Sequence, residues 1–167
     1  AAVQIQDAEE ELSASASLSH GAISISATET ALNIYLSEQL RGFHAQYPGI
    51  RLRITNHSTL QAVQAVKNGE VDFAVVTTPA ETGSDLKRVA LMPFNEILVG
   101  GPSFAELAGR TLALQELIAY PLIMLENGSM SRIFYRQLFL EHNAELKPDI
   151  EAGTTDQMLT LVRSDLG

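Results

Sequence analysis

Small hydroxyl and amide side chains gather at four places in this sequence: Thr28-Glu29-Thr30, Asn56-His57-Ser58-Thr59, Thr77-Thr78 and Gly128-Ser129-Met130-Ser131. None of these groups pairs an acid with a base at a telling spacing. Their chemistry is that of hydrogen-bond donors and acceptors, suited to holding the oxygens of a small polar molecule. Each follows an apolar run, and three of the four precede a run with helical spacing. Any one of the hydroxyls is as readily a helix cap. It is the set, at successive strand ends, that points to a ligand.

The elements that must carry these residues follow from periodicity. Ile23 and Ile25 alternate with Ser24 and Ser26, which predicts a strand over 22–27. Leu32, Leu36, Leu40, Phe43 and Tyr47 recur at three and four and predict an amphipathic helix that Pro48-Gly49 ends. Ile50, Leu52 and Ile54 alternate with Arg51, Arg53 and Thr55, a second strand. Leu60, Val63 and Val66 form a shorter helical stripe closed by Gly69, and Phe73-Ala74-Val75-Val76 reads as a strand covered on both faces. Further strands are expected over 86–92 and 96–99. The alternation then restarts, with a helix over 115–119, a strand over 122–125, a helix over 131–142, a strand over 149–152 and a helix over 156–164. Strand–helix–strand order implies parallel sheets, whose ligand crevices lie outside the carboxyl ends of the strands. The helix N-termini there add free N–H groups and partial positive charge, which suit carboxylates, phosphates or sulfate.

Several function classes fall away. With 46% hydrophobic and 19% charged residues in 167, the chain can bury a core. Its formal charge of −9, without a basic run, is a poor match for phosphate backbones. It has no cysteine, hence no thiolate metal site or cysteine nucleophile. His20, His44, His57 and His142 show no metal-binding spacing, and no G-x-S-x-G, P-loop or G-x-G-x-x-G occurs. We read the chain as no enzyme, with no cofactor and no metal. His57 lies at a strand end within reach of a ligand but is read as a loop residue, and Arg132, which follows the Ser129 loop and could support an anion, is read as one half of a helix-surface ion pair. The acidic opening stretch lacks an apolar core and is no export signal, and no run reaches the ~20 apolar residues of a membrane span.

The order of these pieces resembles a known family. SLSHGAISISATETALNIYLSEQLRGFHAQYPGIRLRI, then AVKNGEVDFAVV, MPFNEILVGG and YPLIMLENGSMSRIFY, closely resemble the effector-binding domain of LysR-type transcriptional regulators over nearly all of residues 18–167. The resemblance implies an α/β fold of two Rossmann-like lobes around a cleft, type 2 periplasmic-binding-protein-like. Residues 1–20 would be the end of a linker helix and a hinge, 21–94 lobe I, and 95–167 lobe II, with the C-terminal part of the fold missing. Carried over by position, Thr28, Thr30, Ser58, Thr59, Thr77, Thr78, Gly128, Ser129 and Ser131 would contact a small, anionic metabolite bridging the lobes. The same resemblance implies a homodimer or higher homo-oligomer paired through the first helix and second strand. DNA would be bound only through a missing N-terminal winged helix-turn-helix, and the protein would be cytoplasmic and not membrane-bound. Two alternatives stay open. One is an exported solute-binding protein of the same fold. The other is a lyase on that fold, for which Glu29 or His57 would be the acid or base.

Overall fold

The computed structural model describes residues 20–167. The expected linker tail and hinge over 1–19 lie outside the described residues. The chain divides into two compact units, with the break between Phe94 and Asn95.

The first unit is built on a three-stranded parallel sheet in the order β2-β1-β3. Strand β1 (Gly21–Ala27) lies in the middle and matches β2 (Ile50–Asn56) along its whole length, Gly21 opposite Ile50 through Ala27 opposite Asn56. Strand β3 (Phe73–Val75) adds a shorter ladder on the other edge. Asp72 fixes its start: the carboxylate accepts from Ser24 N at 2.7 Å and the Asp72 amide donates to Ser24 O at 2.8 Å. The period of two in β1 sorts its side chains. Ile25 and Ala27 join Phe73, Val75, Ala31 and Leu36 in one buried cluster, with Ile23 and Ile54 packed against it. Ser26 faces the opposite side, fully buried.

Helix α1 covers the apolar face of β1. It opens with one α-helical turn (Glu29–Ala31), runs through a π-helical stretch (Leu32–Leu36) and continues as α-helix (Ser37–Gln46). In the π stretch the Ser37 amide donates to Leu32 O, one residue farther back than an α bond reaches. Leu36 and Phe43 of the expected stripe are buried, and Leu40 packs at the cluster's edge. Helix α2 (Thr59–Lys67) packs on β1 and β3. It presents Ala62 and Ala65, both buried, to a sheet face carrying small residues such as Ser26. Gly69, at φ 68°, ends it with the Glu70 amide bonded to Ala65 O at 2.9 Å, a cap that needs the left-handed conformation.

Two expectations fail in this unit and the joining segment. Leu60 is 45% exposed, because the buried stripe of α2 runs through Thr59, Ala62, Val63 and Ala65 instead. The segments 86–92 and 96–99 join no sheet among the described residues. Alternation supplies side-chain placement only; a strand also needs a neighbour's backbone, and Ile97 and Leu98 stand 81% and 67% exposed.

The second unit has a two-stranded parallel sheet, β4 (Ile123–Leu125) beside β5 (Ile150–Ala152). A 3-10 turn (Pro102–Leu107) and a short helix α3 (Leu114–Leu117) precede it. Helix α4 (Met130–Glu141) follows β4, and α5 (Thr155–Arg163) follows β5. Leu117, Phe139, Ala144 and Leu146 form the buried cluster. Asn143 takes φ 55° after α4, where Asn tolerates the left-handed region, and lets the Ala144 amide return to Phe139 O at 2.9 Å.

Candidate functional site

Because β1, β2 and β3 are parallel, their carboxyl ends fall on one edge of the sheet. Three hydrogen bonds then stitch the exits together. The His57 amide donates to Ala27 O at 3.1 Å, joining the exits of β2 and β1. The Thr28 amide donates to Val75 O at 3.1 Å, joining β1 to β3. The Thr59 hydroxyl donates to Thr77 O at 3.2 Å, tying the start of α2 to the chain leaving β3. Thr28, Ser58, Thr59 and Thr77 therefore belong to one rim.

Within the rim the hydroxyls differ in what they have left to offer. Thr28 caps α1, its Oγ1 accepting from the Ala31 amide at 3.3 Å. Ser58 caps α2 in a reciprocal pair with Gln61: Oγ accepts from Gln61 N at 3.4 Å and Gln61 Oε1 from Ser58 N at 3.0 Å. Thr59 is buried and engaged. Thr30, half-buried in the first turn of α1, has no side-chain partner among the described residues. Thr77 and the exposed Thr78 line an apolar cleft of about 220 Å³ whose walls include Val63, Ala74, Leu86 and Met92.

In the second unit, Gly128 takes φ 98° in the turn after β4, a conformation that favours glycine. The turn sets Ser129 at the start of α4, where its Oγ accepts from the Arg132 amide at 3.1 Å. Ser131 sits half-buried in that first turn. Farther along α4, the Tyr135 hydroxyl donates to Glu96 in a short hydrogen bond. Burial, with that bond and the Glu96 charge, pushes the Tyr135 phenol well above its ordinary range.

Sequence reasoning missed one contact and misplaced one residue. Ser26 Oγ and His57 Nδ1 are in hydrogen-bond contact at 2.9 Å. A hydroxyl on an imidazole is the arrangement of a nucleophile and its base. Ser26, however, is 0% exposed, so its oxygen cannot meet a substrate, and the pair serves to hold the ring. The only sequence signal was parity, since Ser26 lies on the face of β1 opposite Ile25. Arg132 is the second feature and a correction: it is not a surface residue but 7% exposed, paired to Glu151 through Nη2 at 3.4 Å. Its burial arises from packing against the sheet, which no local pattern encodes. Among the described residues no cluster of His, Asp and Glu is arranged to hold a metal.

Parallel strands with hydroxyl-bearing exits, and helix N-termini capped beside them, define a small-molecule-binding α/β fold of the type 2 periplasmic-binding-like class. The LysR substrate binding domain family matches residues 16–167, and the chain belongs to that family. Among its relatives, it is 28% identical over 150 residues to the HTH-type transcriptional regulator CysB of Haemophilus influenzae, which covers 89% of this chain and 46% of CysB. It is 26% identical over 148 residues to the HTH-type regulator YeiE of Escherichia coli, covering 89% of this chain and 50% of the relative. The chain thus spans about half the length of these relatives. Among solved structures, the effector binding domain of QuiR in complex with shikimate superposes with a TM-score of 0.76 at 21% identity, over 87% of this chain and 70% of that one. HinK, a LysR family regulator from Pseudomonas aeruginosa, superposes with a TM-score of 0.68 at 23% identity, over 98% of this chain and 56% of HinK.

Proposed function

We propose that this chain is the effector-sensing part of a cytoplasmic, homo-oligomeric transcriptional regulator whose DNA contacts are made by a winged helix-turn-helix elsewhere in the polypeptide. The effector is a small anionic molecule. On the first unit the residues proposed around it are Thr28, Thr30, Ser58, Thr59, Thr77 and Thr78; Gly128, Ser129 and Ser131 are the candidate set of the second unit, taken by itself. The observation that carries this reading is the stitched rim, which brings the N-termini of α1 and α2 and their capping hydroxyls to one edge of the first unit's sheet. The protein's role is binding and not catalysis, consistent with a Ser26 hydroxyl shut away from substrate. An exported solute-binding protein would use the same fold, but the named relatives are HTH-type regulators, which favours the regulator. Binding shifts a conformational equilibrium only as far as the two states differ in affinity for the ligand.

The test is thermal unfolding of the intact protein against a panel of small carboxylates, sugars, phosphates and sulfate. A ligand at about 100 times its Kd stabilises the native state by about 2.7 kcal/mol, a rise of several degrees in Tm. Thr30→Ala and Ser129→Ala each lower the affinity for the hit and leave the cooperative transition in place. A hit whose affinity neither substitution changes places the ligand elsewhere and refutes this site.

A further inference from the structure

Two Asn-Gly pairs occur in this chain, Asn68-Gly69 and Asn127-Gly128, and the structure treats them in opposite ways. An asparagine carboxamide before glycine is open to attack by the next backbone nitrogen, because glycine has no Cβ to shield that nitrogen. Asn33, Asn56, Asn95 and Asn143 each precede a residue that carries a Cβ. Whether an Asn-Gly pair reacts then depends on what holds its carboxamide and the glycine amide, and on how readily that hold opens.

Asn68 is held at every point. Its carboxamide oxygen accepts from Gln64 Nε2 at 2.7 Å, and its Nδ2 donates to Glu70 Oε1 at 2.7 Å. Its own amide donates to Gln64 O at 2.9 Å, and the Gly69 amide, which would be the nucleophile, donates to Val66 O at 3.0 Å. Reaction there requires the C-terminal end of α2 to open first.

Asn127 has none of these restraints. Among the described residues neither its carboxamide nor the Gly128 amide has a hydrogen-bond partner. Both residues are exposed, and a Cβ placed on Gly128 would meet nothing within 4 Å. The turn that holds them is closed by the Ser129 amide donating to Glu126 O at 3.3 Å, just past the ordinary length for such a bond. A turn so closed opens at little cost.

We propose that Asn127 is a site of spontaneous deamidation in the native protein and that Asn68 is not. The Gly128 nitrogen bonds to Asn127 Cγ, the Cγ–Nδ2 bond breaks, and the Gly128 proton leaves with Nδ2 as ammonia, giving a cyclic imide. Water then opens the imide. Cleavage of the new N–Cγ bond leaves aspartate; cleavage at the main-chain carbonyl of residue 127 leaves isoaspartate, with the chain rerouted through Cγ. Water enters and ammonia leaves, with no oxidant or reductant. Either product carries a carboxylate two residues before Ser129, the N-cap of α4, where negative charge complements the helix dipole. Isoaspartate also lengthens, by a backbone carbon, the turn that positions Gly128, Ser129 and Ser131. The modification therefore falls in the loop that carries the second unit's candidate ligand residues.

The experiment holds the intact protein at neutral pH, native and in urea, and follows both Asn-Gly pairs over time by peptide mapping with mass spectrometry. In the native protein Asn127 converts roughly five-fold or more faster than Asn68, the scale of a hydrogen bond that must open first. In urea the two rates converge, since both pairs then lie in open chain. Asn127→Gln removes the main product and leaves the rate at Asn68 unchanged. Equal native rates, faster loss of Asn68, or no native conversion at Asn127 overturns the proposal. A difference that persists in urea overturns it too, by tracing the rates to the flanking residues instead of the fold.

Discussion

Ser26 Oγ lies 2.9 Å from His57 Nδ1, so a wholly buried hydroxyl of β1 holds the imidazole that follows β2. Among the described residues the Ser26 hydroxyl has no other side-chain partner, and a buried O–H left without an acceptor is costly. With the Ser26 hydroxyl as donor, Nδ1 accepts, which is the tautomer that carries its proton on Nε2. His57 meets the rim as a donor, in keeping with the hydroxyls and amides around it.

Replacing Ser26 by Ala leaves Nδ1 unpaired and is expected to destabilise the fold by about 1 kcal/mol. It also frees the ring to change tautomer. Nitrogen chemical shifts of His57 report both states: the wild type shows Nε2 protonated, and Ser26→Ala shows a mixture. A wild-type ring protonated on Nδ1 would reverse the direction of the bond.

Thr59 performs a structural task at the same edge. Its hydroxyl donates to Thr77 O, and the side chain is only 4% exposed. Val is nearly the same shape without the donor, so Thr59→Val isolates the hydrogen bond and leaves the Thr77 carbonyl short of a partner. The expected loss is about 1–3 kcal/mol, read as a lower urea midpoint with an unchanged m-value. An unchanged midpoint would mean that water serves Thr77 equally well.

Asp165 gives the second unit a pH dependence. Its carboxylate accepts from the Ser103 hydroxyl and from the Ser103 amide, the latter at 2.8 Å, and these bonds hold it below its ordinary 3.8. A carboxyl whose folded pKa is depressed contributes stability above its unfolded pKa and loses it as pH falls through the folded value. Asp165→Asn is therefore less stable than wild type at pH 7, with the gap narrowing below about 3.8. Denaturant midpoints at both ends of that range check it; a gap independent of pH would assign the effect to shape alone.

Local patterns carried most of the fold. The parity of Ile23 and Ile25 against Ser24 and Ser26, and the stripe through Leu36 and Phe43, are decided within a few residues, so the strands and helices stand close to where periodicity puts them. Capping was legible for the same reason, since Thr28, Ser58 and Ser129 each bond an amide three residues on. What stayed hidden is non-local. Ser26 and His57 are 31 residues apart in sequence, and the depth of Arg132 depends on the sheet beneath α4. The π-helical stretch over Leu32–Leu36 was also invisible, because a spacing of three and four describes an α-helix equally well. The strand expected over 86–92 failed because a local run of residues gives no information about whether a neighbouring strand exists.

The central place of β1 has a kinetic consequence. Its ladder to β2 spans the whole strand, from Gly21 to Ala27, and the chain between them is a single helix. Its ladder to β3 covers only Ile25 to Ala27 and closes a far longer loop, as the Ser24–Asp72 contact at a separation of 48 residues illustrates. Long loops are closed late and short ladders open early. The Thr28–Val75 bond that completes the rim thus belongs to the last part of this unit to assemble and the first to come apart. A ligand seated on that edge would therefore hold shut the shorter of the two ladders, and with it the part of the unit that opens first.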